Sequence, residues 1–317
     1  MTDPLNTVPA APTDTPAPSA SASSDKQPRG RSLWSDAWGE LQRNPMFWIS
    51  AVLIFVALVM AIAPGLFTSL DPTFGELSNA RKPPTDGHPF GFTAQGYDVY
   101  ARTIYGARAS ILIGVLTTLM TVILGAIVGL LSGFYGGWLD ALLSRVGEIF
   151  FAIPLLLAGI MVLYVFPLNN ASFARQVFQV VAVIALFGWP SMARLMRGAV
   201  LQVKPNDYVN AAKALGASSP RLIFSHILPN AVAPMIAVAT INLGVYIAVE
   251  ATLAFLGIGL RQPAISWGQD ISVASALGMV RAAPHMLIFP SIFLSLTVLA
   301  FIMLGDALQD AFDPKRR

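Results

Sequence analysis

The chain is written in long apolar stretches broken by short clusters of charge. No Asp, Glu, Lys or Arg falls between Arg43 and Asp71, Arg108 and Asp140, Glu148 and Arg175, Arg175 and Arg194, Arg221 and Glu250, or Arg281 and Asp306. A bilayer core of ~30 Å needs about 20 helical residues at 1.5 Å each. Six runs of that order predict six membrane-spanning helices, with cores near 46–68, 109–132, 149–168, 176–193, 230–250 and 285–305. Pro167, Asn169 and Asn170 predict a turn between the third and fourth. A five-helix reading would merge those two runs into a segment far too long for one span.

Organisation follows from the same pattern. Residues 1–30 are rich in Pro, Ala, Ser and Thr without apolar periodicity, the composition of a disordered tail. Residues 31–70 hold an amphipathic segment and the first span. Residues 71–108 read as an external loop, 109–305 as a five-helix core with a cytoplasmic loop at 194–229, and 306–317 as a cytoplasmic tail. Ala61-Ile62-Ala63 has the form of a signal cleavage site. Pro64 follows it at once and the apolar stretch runs on to Leu70, so the run is read as a retained helix.

Composition agrees. Charged residues make up 12% of the 317, against about 25% in soluble domains, and the mean hydropathy is +0.64. There is no cysteine, which excludes disulfides, thiolate metal sites and cysteine nucleophiles. With an even number of spans both termini share a side. Thirteen Lys and Arg fall on that side, among them Arg43, Arg145, Lys204 and Lys213, and seven on the other, including Arg81, Lys82, Arg102 and Arg108. Basic residues favour the cytoplasm, so both termini are expected there. Basic residues lie in short loops rather than on one face, which argues against nucleic acid as a partner. Gly125, Gly129 and Gly133 recur every fourth residue of the second span, a pattern that lets another helix approach closely.

The segment 194–230 carries the most information. Asn206-Asp207 offers a side-chain cap, Tyr208 to Leu215 is helix-competent, and Gly216 suits a left-handed stop. Ser219 with Pro220 predicts a second helix start, interrupted by Pro229. Two short helices joined by Gly216-Ala217-Ser218 are expected outside the lipid, with Tyr208, Ala211, Ala212 and Leu215 on one face.

The spacing Asn210-Ala211-Ala212, then Gly216, then His226-Ile227-Leu228-Pro229-Asn230 resembles the cytoplasmic loop motif of ABC importer permeases. The first position is commonly Glu in that family and is Asn210 here. Further motifs resemble the second-permease (C-type) branch of the dipeptide, oligopeptide and nickel importers. They are Arg43-Asn44-Pro45, His88-Pro89-Phe90-Gly91, Tyr105-Gly106-Ala107-Arg108, Gly133-Phe134-Tyr135-Gly136-Gly137-Trp138 and Phe151-Ala152-Ile153-Pro154. Glu250-Ala251-Thr252-Leu253, Ser266-Trp267-Gly268 and Gly305-Asp306-Ala307-Leu308 through Asp313-Pro314 continue the match. That branch usually reads Thr-Asp and later Arg-Asp after His88, where this chain has Phe92-Thr93 and Tyr97-Asp98.

The resemblance implies an all-α integral membrane fold with six transmembrane helices, the type I architecture of ABC importer permeases. It implies a second homologous permease, two cytoplasmic ATPases that bind ATP and Mg, an extracytoplasmic binding protein, and a bacterial cytoplasmic membrane. The coupling loop would seat in the ATPase through Asp207, Tyr208, Asn210, Ala211, Ala212, Leu215, Gly216, Ser218, Arg221 and His226. Dipeptides or oligopeptides are the implied solutes, with nickel, opines, glycosides and haem-like solutes as alternatives.

Other residues are read against simpler roles. Glu250 lies twenty residues beyond Asn230, about 30 Å along a helix. It is expected near the outer end of the fifth span, either facing a peptide's amino group or pairing with Arg261 or backbone donors. Asn242 and Tyr246, four apart, would line a solute path or bond between helices. Trp267, opening a predicted surface helix over 265–280, would be an interfacial anchor or a docking point for the binding protein. His226 and the run Asp306, Asp310 and Asp313 lack the convergent ligands of a metal site. No phosphate-binding loop, nucleophile elbow or H-E-x-x-H helix occurs, so no enzyme chemistry and no cofactor of its own is expected. A self-contained secondary transporter would show inverted repeats and midplane charges, and neither is evident.

Overall fold

The computed structural model describes residues 33–167 and 171–312. The expected 1–30 tail, the turn at Asn169 and Asn170, and Asp313 with the terminal basic residues lie outside the described residues. A short helix, α1 (Leu33–Leu41), precedes α2 (Pro45–Ile62). Asn44 caps α2, its side-chain oxygen accepting from Met46 N at 2.9 Å, and Pro45 occupies the first turn, where its missing N–H costs nothing. The Arg43-Asn44-Pro45 motif is thus a helix start. Pro64 opens a 3₁₀ turn at Pro64–Leu66, so the first span stops at Ile62 and not near 68.

The loop that follows is shorter than the charge pattern predicts. Asp98 Oδ1 accepts from Ala101 N at 2.6 Å and starts α3 (Val99–Tyr135), 37 residues and about 55 Å long at 1.5 Å per residue. Arg102 and Arg108 are helical residues, not loop residues. Gly136 and Gly137 then take φ of +68° and +59°, a conformation that glycine adopts freely, and α4 (Gly137–Ala152) turns back.

The third span is not the straight helix over 149–168 that the apolar run predicts. It is a pair, α4 and α5 (Leu155–Val165), bent by 78° at Ile153-Pro154. Pro154 has no N–H to donate and disfavours helix in the residue before it, so Ile153 is extended (φ −89°, ψ 121°). α6 (Phe173–Val203) returns. After α7 (Asp207–Ala214), α8 (Ser219–Phe255) runs as one helix. The connection that follows holds α9 (Trp267–Ala274) and α10 (Leu277–Ala282), and α11 (His285–Phe312) closes the fold. Among the described residues, α2, α3, α6, α8 and α11 are each long and apolar enough to cross a membrane, and α4 with α5 makes a sixth crossing when taken together.

The glycines set the directions. A Cβ on Gly129 would lie 2.8 Å from Met196 Cβ and 2.9 Å from Arg197 N, and one on Gly133 would lie 2.9 Å from Val200 Cβ. Numbers rise together, so α3 and α6 run parallel in backbone contact. Gly188 faces the Tyr246 hydroxyl while Met196 and Val200 cluster with Ile227 and Ala231, and Gly244 faces Val298 O and Phe301 while Gly305 faces Ile241 and Ala237 O, so α8 is antiparallel to α6 and α11 to α8. At one end Ala37 and Leu41 of α1 bury against Ala307 and Ala311 of α11, alongside the 204–218 loop and the α3–α4 turn. At the other lie the 63–98 loop, α9 and α10. Residues 306–312 continue α11 as helix rather than forming a loose tail.

Candidate coupling and translocation site

Helix α7 is suspended from the end of α6. Lys204 Nζ donates to Phe134 O at 2.6 Å and lies 5.6 Å from the centre of the Phe134 ring, tying the end of α6 to the end of α3. Pro205 and Asn206 then turn the chain. Asn206 holds the cap position in extended conformation, but its side chain makes no capping bond. Asn210, in the place where the resembled motif carries Glu, sends its Nδ2 back to Pro205 O at 3.0 Å. One side of α7 is inward. Val209 is buried with Met196, Val200, Leu222 and Ile227, and Ala212 and Ala217 pack against them.

The opposite side is open. Tyr208 is 43% exposed and Leu215 90%, with Asp207, Asn210, Ala211, Gly216, Ser218 and Arg221 also exposed. Ala212 therefore belongs to the anchoring face and not, as predicted, with Tyr208, Ala211 and Leu215. Gly216 has φ +84°, its N–H donates to Lys213 O, and Ala217 N donates to Ala212 O, both at 3.0 Å. This is a left-handed helix stop.

Two details of the predicted hairpin are corrected. The second helix starts one residue earlier than read, with Ser218 in the cap position and Pro220 in the first turn. Pro229 does not interrupt it. A π-helical turn, Leu222–Ile227, precedes the proline, and Leu228 N donates to Ile223 O, five residues back. The wider turn makes room for the ring that would otherwise strike the preceding turn. His226 sits half-buried in this turn, and among the described residues no group of three or more His, Asp or Glu converges as a metal site.

The other candidate residues lie on α8 and α9. Glu250 has no exposed surface. Ser110 Oγ of α3 donates to its Oε2 at 3.2 Å, and the Ser266 hydroxyl is a second partner. In this subunit the carboxylate faces the Ser110 and Ser266 hydroxyls and not solvent, whereas the sequence offered a peptide's amino group, Arg261 or backbone donors as its partners. Tyr246 is 4% exposed, its hydroxyl set between Thr121 of α3 and Gly188 of α6. Asn242, one turn away, is half-buried. Trp267 is wholly buried, and its Nε1 donates to Thr103 O at 2.8 Å. It is neither an interfacial anchor nor an exposed docking point. It fills the space beside Gly106.

Three polar pairs escaped the sequence reading. Arg102 Nε and Nη2 donate to Asp270 Oδ1 at 2.9 and 2.6 Å, locking α9 to α3. Burial pushes the Asp270 carboxyl up from the ordinary aspartate range, and Arg102 pulls it back. His88 Nδ1 lies 2.7 Å from Asp98 Oδ2, fastening the 71–98 loop to the start of α3. At the end that carries α7, Arg197 Nε and Nη2 meet Asp140 Oδ1 and Oδ2 at 2.6 and 2.7 Å, a bidentate pair. Each joins residues whose local sequence gives no sign of a partner.

A bundle of six apolar crossings, with an anchored hairpin helix at one end and a folded loop at the other, is the architecture of an importer's membrane subunit, and the comparisons with known proteins agree. The chain belongs to the family described as binding-protein-dependent transport system inner membrane component, whose profile matches residues 121–317. Residues 32–84 match the N-terminal TM domain of oligopeptide transport permease C. It is 35% identical over 286 residues to the oligopeptide transport system permease protein OppC of Bacillus subtilis (strain 168), covering 90% of this chain and 91% of that one. To the dipeptide transport system permease protein DppC of Alkalihalophilus pseudofirmus it is 35% identical over 315 residues, 99% of this chain and 100% of that one. Among solved structures, the MetNI methionine ABC transporter superposes with a TM-score of 0.54 at 18% identity, covering 67% of this chain and 96% of that one, a likeness of fold. The chain is therefore a multi-pass permease subunit of an ABC importer, a transport component and not a catalytic one.

Proposed function

We propose that this subunit forms half of the pathway for dipeptides or oligopeptides in an ATP-driven importer, and that the exposed face of α7 is its contact with a cytoplasmic ATPase. Relatives named for oligopeptide and dipeptide transport support the solute class. The observation that carries the coupling role is α7 itself. Val209 is buried while Tyr208 and Leu215, seven residues apart and so on one face, are 43% and 90% exposed. An apolar residue so placed outside the spanning segments is uncovered in the single chain and suits a partner's groove. A second permease completes the pathway, two ATPases bind ATP and Mg, and a binding protein delivers solute at the end that carries the 63–98 loop. Closure of the ATPases on ATP shifts the pair between inward- and outward-open states. Preferential contact with one state moves that equilibrium, with no chemistry in this chain. Both termini face the cytoplasm of the bacterial inner membrane in this reading.

Gly216→Val tests it. Nothing lies within 4 Å of a Cβ at this position, so the substitution does not clash. A β-branched residue at φ +84° nevertheless strains the backbone, by about 1–2 kcal/mol, and re-aims α7. Uptake of labelled peptides by cells carrying the whole transporter is expected to fall several-fold with the subunit still inserted. Unchanged uptake would overturn the coupling role. Competition of peptides of graded length with nickel complexes and haem tests the solute class.

A further inference from the structure

Helix α4 is attached in an unusual way. None of its residues is buried, whereas α3 and α6 are in backbone contact along their glycine ladder. Between α4 and that pair lies a cavity of about 350 Å³ lined by Gly129, Ser144, Gly147, Trp189 and Ala193 among others. Around this cavity α4 is held to α6 by polar ties and, near its last turn, by Phe150 against Phe187 and Trp189. At the first turn of α4, Asp140 receives the bidentate bond from Arg197 at 2.6 and 2.7 Å, and Ser132 and Ser144 donate to the same carboxylate. At its last turn, the Arg194 guanidinium sits 3.7 Å above the centre of the Phe151 ring, two residues before the bend at Ile153-Pro154. Arg194 and Arg197 are three apart, so both leave α6 on one face. Six residues past Arg197, α6 ends and hands over through Lys204 to α7.

We propose that Arg197 and Asp140, with Arg194 on Phe151 as a second tie, are positioning residues that make α4 follow the movement of α6 and α7. The inference rests on the reading of α7 as the ATPase contact. α3 and α6 form a plate that cannot shear, because each glycine of the ladder would have to climb over a neighbouring backbone. A push on α7 therefore moves the inner end of the plate. α4, with no fully buried residue, follows through the arginine ties and through Phe150 packed against Phe187 and Trp189 of α6. The bend at Pro154 lets its inner half swing without dragging α5.

The test uses the whole transporter with its partner subunits in liposomes. Asp140→Asn and Arg197→Gln each remove the ion pair. The expected result is a fall of about tenfold in solute moved per ATP hydrolysed, an ordinary coupling ratio, with assembly and basal hydrolysis retained. A contact that is merely structural would lower assembly, hydrolysis and uptake in proportion, and that pattern would overturn the proposal, as would an unchanged ratio. The second measurement needs no native cysteine removed, since the chain has none. Spin labels at Leu142 and Leu201, 51% and 45% exposed, report the distance between α4 and α6. It is expected to stay constant between nucleotide-free and ATP-bound states and to broaden in Asp140→Asn. A distance that changes on ATP with the tie intact would overturn the proposal. Failure of the underlying function is distinct, appearing as no ATP-dependent uptake by the unsubstituted transporter.

Discussion

Trp267 is held by its ring nitrogen to the carbonyl of Thr103 inside the subunit, and replacing it separates two contributions. Trp267→Phe keeps an aromatic body but removes the donor in a dry site, where an unmet polar group costs about 1–3 kcal/mol. The midpoint of thermal unfolding of the purified subunit in detergent is expected to drop, and an unaltered midpoint would show that the bond contributes nothing. Glu250 gives a sharper outcome. Because its carboxyl has no accessible surface, Glu250→Gln is expected to leave the ratio of KM values between two peptides of different terminal charge unchanged. A shift in that ratio would place Glu250 on the pathway after all. Glu250 was expected near the outer end by counting along the helix, and Trp267 on the outer surface by the pattern of a surface helix. Periodicity in an apolar chain distinguishes a helix face from its opposite, but lipid, solute and protein neighbours select the same residue types, so depth is not written locally. Gly216 was legible because its constraint is local: a helix stop needs positive φ and the residue that tolerates it.

At the scale of elements, counting charge-free runs found six crossings and misjudged several ends. α3 begins ten residues before the run that announced it, because Arg102 does not behave as a loop residue once Asp270 neutralises it. That partner is 168 positions away and leaves no trace near Arg102. The bend in the third crossing was missed because hydropathy is blind to direction, although Pro154 stood in the sequence to mark it. Pro229 misled in the opposite sense, since one π-helical turn lets the helix pass through. The glycine ladder was read correctly as a packing device, and it yields a quantitative expectation. A side chain at Gly129 must displace the Met196 Cβ and the backbone of α6, both under 3 Å from the new Cβ. Gly129→Leu is expected to cost at least the 1–3 kcal/mol or so typical of overpacking. It should lower the yield of monodisperse subunit, while Gly198→Leu, where nothing lies within 4 Å, should not. Equal yields would mean that the two helices separate more easily than their register implies.

Across the whole molecule, the contacts at each end fix which segments share a side, and this can be checked without any partner. Six crossings place α1, the α3–α4 turn, α7 and the end of α11 together, and the 63–98 loop with α9 and α10 opposite. The excess of basic residues favours the cytoplasm for the first group, which is the orientation proposed above. The chain lacks cysteine, so single cysteines introduced at Leu215 and Leu77, 90% and 78% exposed, are accessible probes. A membrane-impermeant thiol reagent added to spheroplasts is expected to label Leu77→Cys and spare Leu215→Cys, and inverted vesicles should reverse the pattern. Labelling of both positions from one side would require an odd number of crossings between residues 77 and 215 to be wrong, and the bent α4–α5 pair is where the error would lie. It is the one crossing built from two short helices, and if it dipped and returned, every later segment would change sides. Labelling of Leu215→Cys from outside and Leu77→Cys from inside would keep the fold and invert it. α7 would then lie beyond reach of any cytoplasmic ATPase, so the coupling role depends on the direction of insertion as much as on the fold.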